Sequence, residues 1–116
     1  MARLRGALLM TQLGELELCN ALELRVFRKE ATTTEIRRAL TNFEEHIRDG
    51  FFELEAVPAT VYERARRITR KHTATLGLRT LDILHVAAAL LLRAERFWTF
   101  DHRQFELAKA EGMRTI

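Results

Sequence analysis

Apolar and polar positions recur along this chain with two periods, one helical and one extended, and their order sketches the elements. A short apolar run, Ala7 to Thr11, reads as a buried strand that passes into a helix from about Leu13 to Lys29, with Gly14 near the junction. Thr32-Thr33-Thr34-Glu35 carries the S/T-x-x-E pattern of a capping box. It opens a helix in which Ile36, Leu40, Phe43 and Ile47 share one face, and Gly50 is its natural stop. Phe51 to Val57 reads as a strand, and Pro58 suits the first turn of a helix over Ala59 to His72 with Val61, Ala65 and Ile68 inward. Thr73 to Arg79 is a loop with Gly77 as its hinge. Thr80 then caps a helix from Leu81 to about Ala94, apolar almost all round and expected to be buried on most sides. Arg96 to Phe100 is strand-like and ends at Asp101; a short helix follows from about His102 to Glu111, broken by Gly112. Met113 to Ile116 reads as a last edge strand.

Strands alternating with helices predict an α/β fold, a parallel sheet with helices on its faces. The chain has 116 residues, a single proline and no repeat, linker or low-complexity stretch, which predicts one domain over residues 1–116. In parallel sheets ligands bind beyond the carboxyl ends of the strands. Candidate chemistry is therefore sought where strands end and helices begin.

Composition adds mostly exclusions. With 47% hydrophobic and 30% charged residues the chain is an ordinary globular one. Its one cysteine, Cys19, excludes an internal disulfide framework and a zinc site built on thiolates. Serine is absent altogether, which removes a serine nucleophile, and Cys19 lies in a largely apolar helical stretch where packing is the simpler reading. The longest apolar run, Ile83 to Leu92, contains His85 and is roughly half the ~20 residues a membrane-spanning helix needs. The apolar stretch Ala7-Leu8-Leu9-Met10 is too short for a signal-peptide core, so a cytoplasmic location is expected. The net charge is a mild +3, but Arg64, Arg66, Arg67, Arg70 and Lys71 form a basic cluster. Such a cluster is either a solvated helix face or a surface for phosphate backbones.

Three carboxylates stand out by position: Glu17 early in the first helix, Asp82 in the opening turn of the most apolar helix, and Asp101 directly after a strand. Each has a local explanation. Glu17 fits a solvent-exposed helix surface, Asp82 favours the positive end of a helix dipole, and Asp101-His102-Arg103-Gln104 fits a D-x-x-Q cap. Taken together they fall near one edge of the expected sheet. Carboxylates gathered there repel one another, and burial raises their pKa values; a divalent cation offsets both costs. Mg²⁺ takes hard oxygen ligands and needs only one or two direct carboxylates. On residue type and position alone, this arrangement points to metal-dependent phosphoryl chemistry without naming a substrate. His85 lies one turn along from Asp82 on the same face, as a possible metal partner or as a packed core histidine; His46, His72 and His102 share no spacing.

The segments Arg79-Thr80-Leu81-Asp82-Ile83-Leu84-His85-Val86-Ala87-Ala88-Ala89-Leu90 and Phe97-Trp98-Thr99-Phe100-Asp101-His102-Arg103-Gln104, followed by Leu107-Ala108 and Gly112-Met113, resemble the C-terminal half of PIN-domain proteins. The subgroup they most resemble is the toxin ribonucleases of type II (VapBC-like) toxin–antitoxin pairs. Glu15-Leu16-Glu17-Leu18-Cys19-Asn20-Ala21-Leu22 looks like that subgroup's second acidic motif, with Glu17 as the matching acid. The resemblance covers essentially the whole chain. It implies a PIN-like three-layer α/β fold and the acids Glu17, Asp82 and Asp101 around one or two Mg²⁺ or Mn²⁺ ions. Thr99 matches a polar position that assists through its hydroxyl. The implied activity is hydrolysis of RNA phosphodiesters, and the implied partners are an antitoxin protein and a second copy in a homodimer.

Members of the family begin with a strand that ends in an aspartate, then a helix, before the strand matched by Ala7 to Thr11. This sequence starts about one strand and one helix later, and its only acids before Thr34 are Glu15, Glu17, Glu23 and Glu30. The expectation is an N-terminally truncated PIN-like fold whose metal set is one acid short. The alternative is a non-catalytic PIN-like remnant that binds RNA or an antitoxin-like protein. A phosphohydrolase of small molecules is a third class, with the acids as its sole support.

Overall fold

A Thr side chain starts both long helices of the first half of the chain, and in each case the local sequence explains why. The computed structural model describes residues 8–94, 96–97, 99 and 101–115, and the chain divides into two compact units, Met1–Ala56 and Val57–Ile116. In the first unit, strand β1 (Leu8–Thr11) runs directly into helix α1 (Gln12–Phe27). Thr11 keeps an extended backbone, and its hydroxyl accepts from the Gly14 N–H at 3.0 Å, satisfying one of the amides a helix start leaves orphaned. Helix α2 (Thr33–Arg48) opens on the expected capping box: Thr32 Oγ1 accepts from the Glu35 N–H, and Glu35 Oε1 accepts from the Thr32 N–H, both at 3.1 Å.

Ile36 and Phe43 are the buried members of the α2 stripe, with Leu40 and Ile47 half-buried beside them. Strand β2 (Phe52–Glu55) pairs in parallel with β1, Leu8 opposite Phe52 and Thr11 opposite Glu55. The Phe52 ring lies 5.3 Å from that of Phe43, tilted by 55°, which ties α2 to the strand. The expected strand from Phe51 to Val57 is shorter at both ends. Phe51 is used to close α2, its N–H donating to His46 O, and Ala56 and Val57 lead away from the pairing. The expectation of a buried first strand is also corrected: Leu8 is exposed and Leu9 to Thr11 are half-buried, β1 having β2 as its one strand neighbour among the described residues. Ala7 lies outside the described residues.

The second unit holds the main apolar cluster. Helix α3 (Val61–Ile68) continues through a π-helical turn (Thr69–Thr73) into a short helix α4 (Ala74–Leu76). The expected helix from Ala59 to His72 therefore starts later and the helical path runs further, so the predicted loop shrinks to Gly77–Arg79. Pro58 stands one turn before the helix, where its carbonyl accepts from the Val61 N–H, and Gly77 ends the path in the left-handed conformation, φ 66°.

Helix α5 (Thr80–Leu91) packs against α3 and α6, burying Ile83, Val86, Ala87 and Ala88. The alanines leave room for close helix approach, and Val61 and Ile68 of α3 and Leu107 of α6 fill the space beside them. Its cap is not Thr80 but Arg79. Arg79 holds the extended conformation, while Thr80 is already helical. The helix ends before the expected Ala94, with Arg93 at φ 55°. Strand β3 (Arg96–Phe97) pairs in parallel with β4 (Arg114–Thr115), and helix α6 (His102–Ala110) connects them. The expected extension of β3 to Phe100 and of β4 to Ile116 falls partly on residues outside those described. The result is the expected α/β class, parallel strands flanked by helices; among the described residues each unit carries one parallel strand pair. Among the described residues no helix is long and apolar enough to cross a membrane.

Candidate functional site

Two helix starts in the second unit place two aspartates at adjoining positions. Asp82 is the third residue of α5, and Asp101 is the N-cap of α6. Both positions exist for local reasons. The Asp82 carboxylate reaches back to accept from the Arg79 N–H at 3.0 Å, and Asp101 Oδ1 accepts from the Gln104 N–H at 3.1 Å. Each acid thus sits at the positive end of a helix dipole.

The site is more than two caps. Asp82 is fully buried, at 0% exposure, while being ionisable, and such a group persists only where partners surround it. Those partners are Arg79 and Gln104. The Arg79 guanidinium donates from Nε to Asp82 Oδ2 at 3.3 Å and from Nη2 to Asp82 Oδ1 at 3.4 Å. The same Nη2 donates to Asp101 Oδ2 at 3.0 Å, so one cationic nitrogen bridges both acids. Gln104, also buried, donates from Nε2 to Asp82 Oδ1 at 3.4 Å. Burial alone pushes the Asp82 carboxyl upward. The backbone and side-chain hydrogen bonds from Arg79, its charge and the Gln104 amide outweigh that and hold it below the ordinary carboxylate value.

Thr99 completes the second unit's set. Its hydroxyl accepts from the Asp101 N–H at 3.0 Å and donates to Gln104 Oε1 at 3.1 Å. Three of the four residues singled out in the sequence, Asp82, Thr99 and Asp101, are therefore joined in one hydrogen-bonded network. Glu17, the fourth, is exposed on α1 of the first unit. His85, weighed as a partner for Asp82, is half-buried on α5. Cys19 is half-buried, and burial followed by the neighbouring glutamates Glu15, Glu44 and Glu23 pushes its thiol up, which disfavours a nucleophilic thiolate.

Two members of the network, Arg79 and Gln104, were not singled out in the sequence. Arg79 had a signal: a cation three residues before an aspartate at a helix start faces it across the first turn. Gln104 carried only the cap pattern D-x-x-Q, which accounts for its backbone bond to Asp101 but not for its side-chain bond to Asp82.

The donor set fits a hard divalent cation in kind, since two carboxylates turn toward one point and that point is occupied by a positively charged nitrogen. Among the described residues no group of three or more His, Cys, Asp or Glu side chains comes together as a metal-binding cluster. The basic cluster expected from the sequence lies apart from the acids along the chain: Arg66, Arg67, Arg70 and Lys71 are exposed on α3 and the π-helical turn, with Lys71 3.6 Å from Glu111.

Two aspartates paired at helix starts, set in an α/β fold with parallel strands, are a hard oxygen donor set of the kind metal-assisted chemistry uses. The family model described as PIN domain matches residues 1–110, and the chain belongs to the PIN-domain family. PIN domains are nuclease-type domains that typically use divalent metal ions. No curated protein and no solved structure gives a significant match.

Proposed function

We propose that this chain is a Mg²⁺- or Mn²⁺-dependent endoribonuclease of the toxin type. The observation that carries the reading is the convergence of Asp82 and Asp101 on a single cationic nitrogen, 3.4 and 3.0 Å away. In this reading Asp82 and Asp101 hold the cation. When bound, the cation supplies Lewis acidity toward an RNA phosphodiester. Thr99 keeps the Asp101 backbone in place, and Gln104 keeps the buried oxygen of Asp82 turned into the site. Glu17 is proposed as a third acid on the sequence resemblance alone. The exposed arginines Arg66, Arg67 and Arg70 are proposed to hold the RNA backbone through phosphate contacts. An antitoxin protein, a homodimer and a cytoplasmic place of action belong to the same reading.

Asp82→Asn and Asp101→Asn should abolish Mn²⁺-dependent RNA cleavage while circular dichroism shows the helices intact. Cleavage by both variants at the rate of the unaltered chain would sink the proposal. Glu17→Gln tests the third acid separately.

A second reading is a non-catalytic PIN-like module that binds RNA or an antitoxin-like protein. It is favoured by the pairing of both aspartates with Arg79. It expects no cleavage by any variant, and RNA binding that weakens on Arg66→Glu and Arg70→Glu and falls steeply with salt.

A further inference from the structure

The carboxylates of Asp82 and Asp101 are each held by two kinds of partner, and the two kinds differ in how easily they can leave. Backbone and buried amides hold the carboxylates themselves. The Arg79 N–H fixes Asp82 Oδ2 at 3.0 Å, the Gln104 N–H fixes Asp101 Oδ1 at 3.1 Å, and Gln104 Nε2 reaches Asp82 Oδ1. None of these depends on the guanidinium of Arg79. That group lies on the solvent side: the Arg79 side chain is 62% exposed, against 1% for Asp82. Its contacts with Asp82, at 3.3 and 3.4 Å, are at the long end of hydrogen-bond range; Gln104 Nε2 stands equally far from Asp82 at 3.4 Å, but from a buried side chain that cannot leave for solvent.

Electrostatics argues in the same direction. Two carboxylates sharing one guanidinium keep one uncompensated negative charge, whereas a divalent cation at the same point neutralises both. The guanidinium thus lowers the repulsion between the acids without satisfying it. A long side chain pinned at the surface also gives back conformational freedom when it is released.

We propose that Arg79 is a displaceable internal cation that occupies the metal-binding place between Asp82 and Asp101 and must swing out before a divalent ion can bind. The proposal rests on the metal-dependent reading above. Arg79 is a regulating residue here and sets the apparent affinity of the site: metal binding is reduced by the fraction of molecules in which the guanidinium is in place. Its backbone N–H continues to cap α5 in either state, so the acids remain in position when the side chain leaves.

The test is Mn²⁺ binding by the full chain, followed by electron paramagnetic resonance of free Mn²⁺ and by the Mn²⁺-induced shift in Tm, for the unaltered chain, Arg79→Gln and Arg79→Lys. Arg79→Gln removes the competitor, so it should bind Mn²⁺ about five-fold or more tightly than the unaltered chain. It should also melt lower without metal, as the acids repel, and show the larger Mn²⁺-induced gain. Arg79→Lys keeps a charge but loses the planar fork, and should fall between the two. It also serves as the folded control if Arg79→Gln loses its helices. Binding by Arg79→Gln alone would support the proposal in its strongest form. Equal or weaker binding by both variants beside a binding unaltered chain overturns the proposal and leaves the metal-dependent reading standing. Absence of Mn²⁺ binding in all three chains, with helices intact, overturns both.

Discussion

The side-chain amide of Gln104 donates to Asp82 Oδ1 across 3.4 Å and 22 positions of sequence, joining the start of α6 to the start of α5. Its other end accepts from Thr99 Oγ1, so a single buried amide satisfies a carboxylate and a hydroxyl at once. Networks of this kind are stable when complete and costly when one member is lost, because the remaining polar groups stay buried without partners.

Gln104→Ala should therefore destabilise the chain by about 1–3 kcal/mol in urea unfolding, the cost of leaving buried partners unsatisfied. Gln104→Glu should be worse at neutral pH, where it faces Asp82 with a second negative charge, and should recover part of the loss on acidification. A neutral effect of both substitutions would show that the amide does not hold the site.

Gly77 offers a test of backbone conformation free of packing. Its φ is +66°, yet a Cβ built there meets nothing within 4 Å. Gly77→Ala should cost about 1–2 kcal/mol through the left-handed backbone alone. Gly77→Asn should cost less, since asparagine tolerates that region. Chemical unfolding of the two variants side by side reads the difference.

These residues also mark what the sequence could and could not reveal. Thr32 with Glu35, Gly77 and the cap at Asp101 were legible because their hydrogen bonds or dihedral angles are set within four positions of chain. The stripe of Ile36 and Phe43, and that of Val61 and Ile68, were legible from helical periodicity. The π-helical turn at Thr69–Thr73 was not: its sequence, Thr-Arg-Lys-His-Thr, continues an ordinary polar helix face. The acids Asp82 and Asp101 were legible by their places at element junctions. The bridge that Arg79 makes between them spans 22 positions, and no local pattern encodes it. Thr80 looked the better cap by residue type, whereas the Asp82 carboxylate makes Arg79 the cap from the other side.

Thr99 separates an assisting hydroxyl from a space-filling side chain. Thr99→Val keeps the shape but loses the acceptor for the Asp101 N–H and the donor to Gln104. Stability should fall by about 1 kcal/mol, the net worth of a typical hydrogen bond. If Thr99 keeps Asp101 in place for catalysis, Mn²⁺-dependent cleavage should fall further than the loss of folded chain explains, and Thr99→Ser should restore it. Equal cleavage per folded molecule in all three chains would confine Thr99 to a structural role.

Glu111 provides a pH test removed from the acids. Its carboxylate lies 2.8 Å from His72 Nε2 and 3.6 Å from Lys71 Nζ, linking the end of α6 to the π-helical turn. Burial pushes the Glu111 carboxyl up, but the His72 hydrogen bond and the charges of Lys71 and His72 prevail and hold it below its ordinary value. A carboxylate whose folded pKa is depressed contributes stability that is fully present above its unfolded pKa and disappears as pH falls through the folded value. The stability difference between the unaltered chain and Glu111→Gln should accordingly favour the unaltered chain at neutral pH and close as the solution is acidified below the carboxylate range. His72→Gln removes the largest contribution that lowers the pKa, so the acid limb of its stability profile should move toward higher pH. Urea unfolding across the acid range reads both effects. A gap that widens toward acid would mean that the pair opposes folding and that the end of α6 is held by the apolar contacts of Leu107 and Ala108 instead.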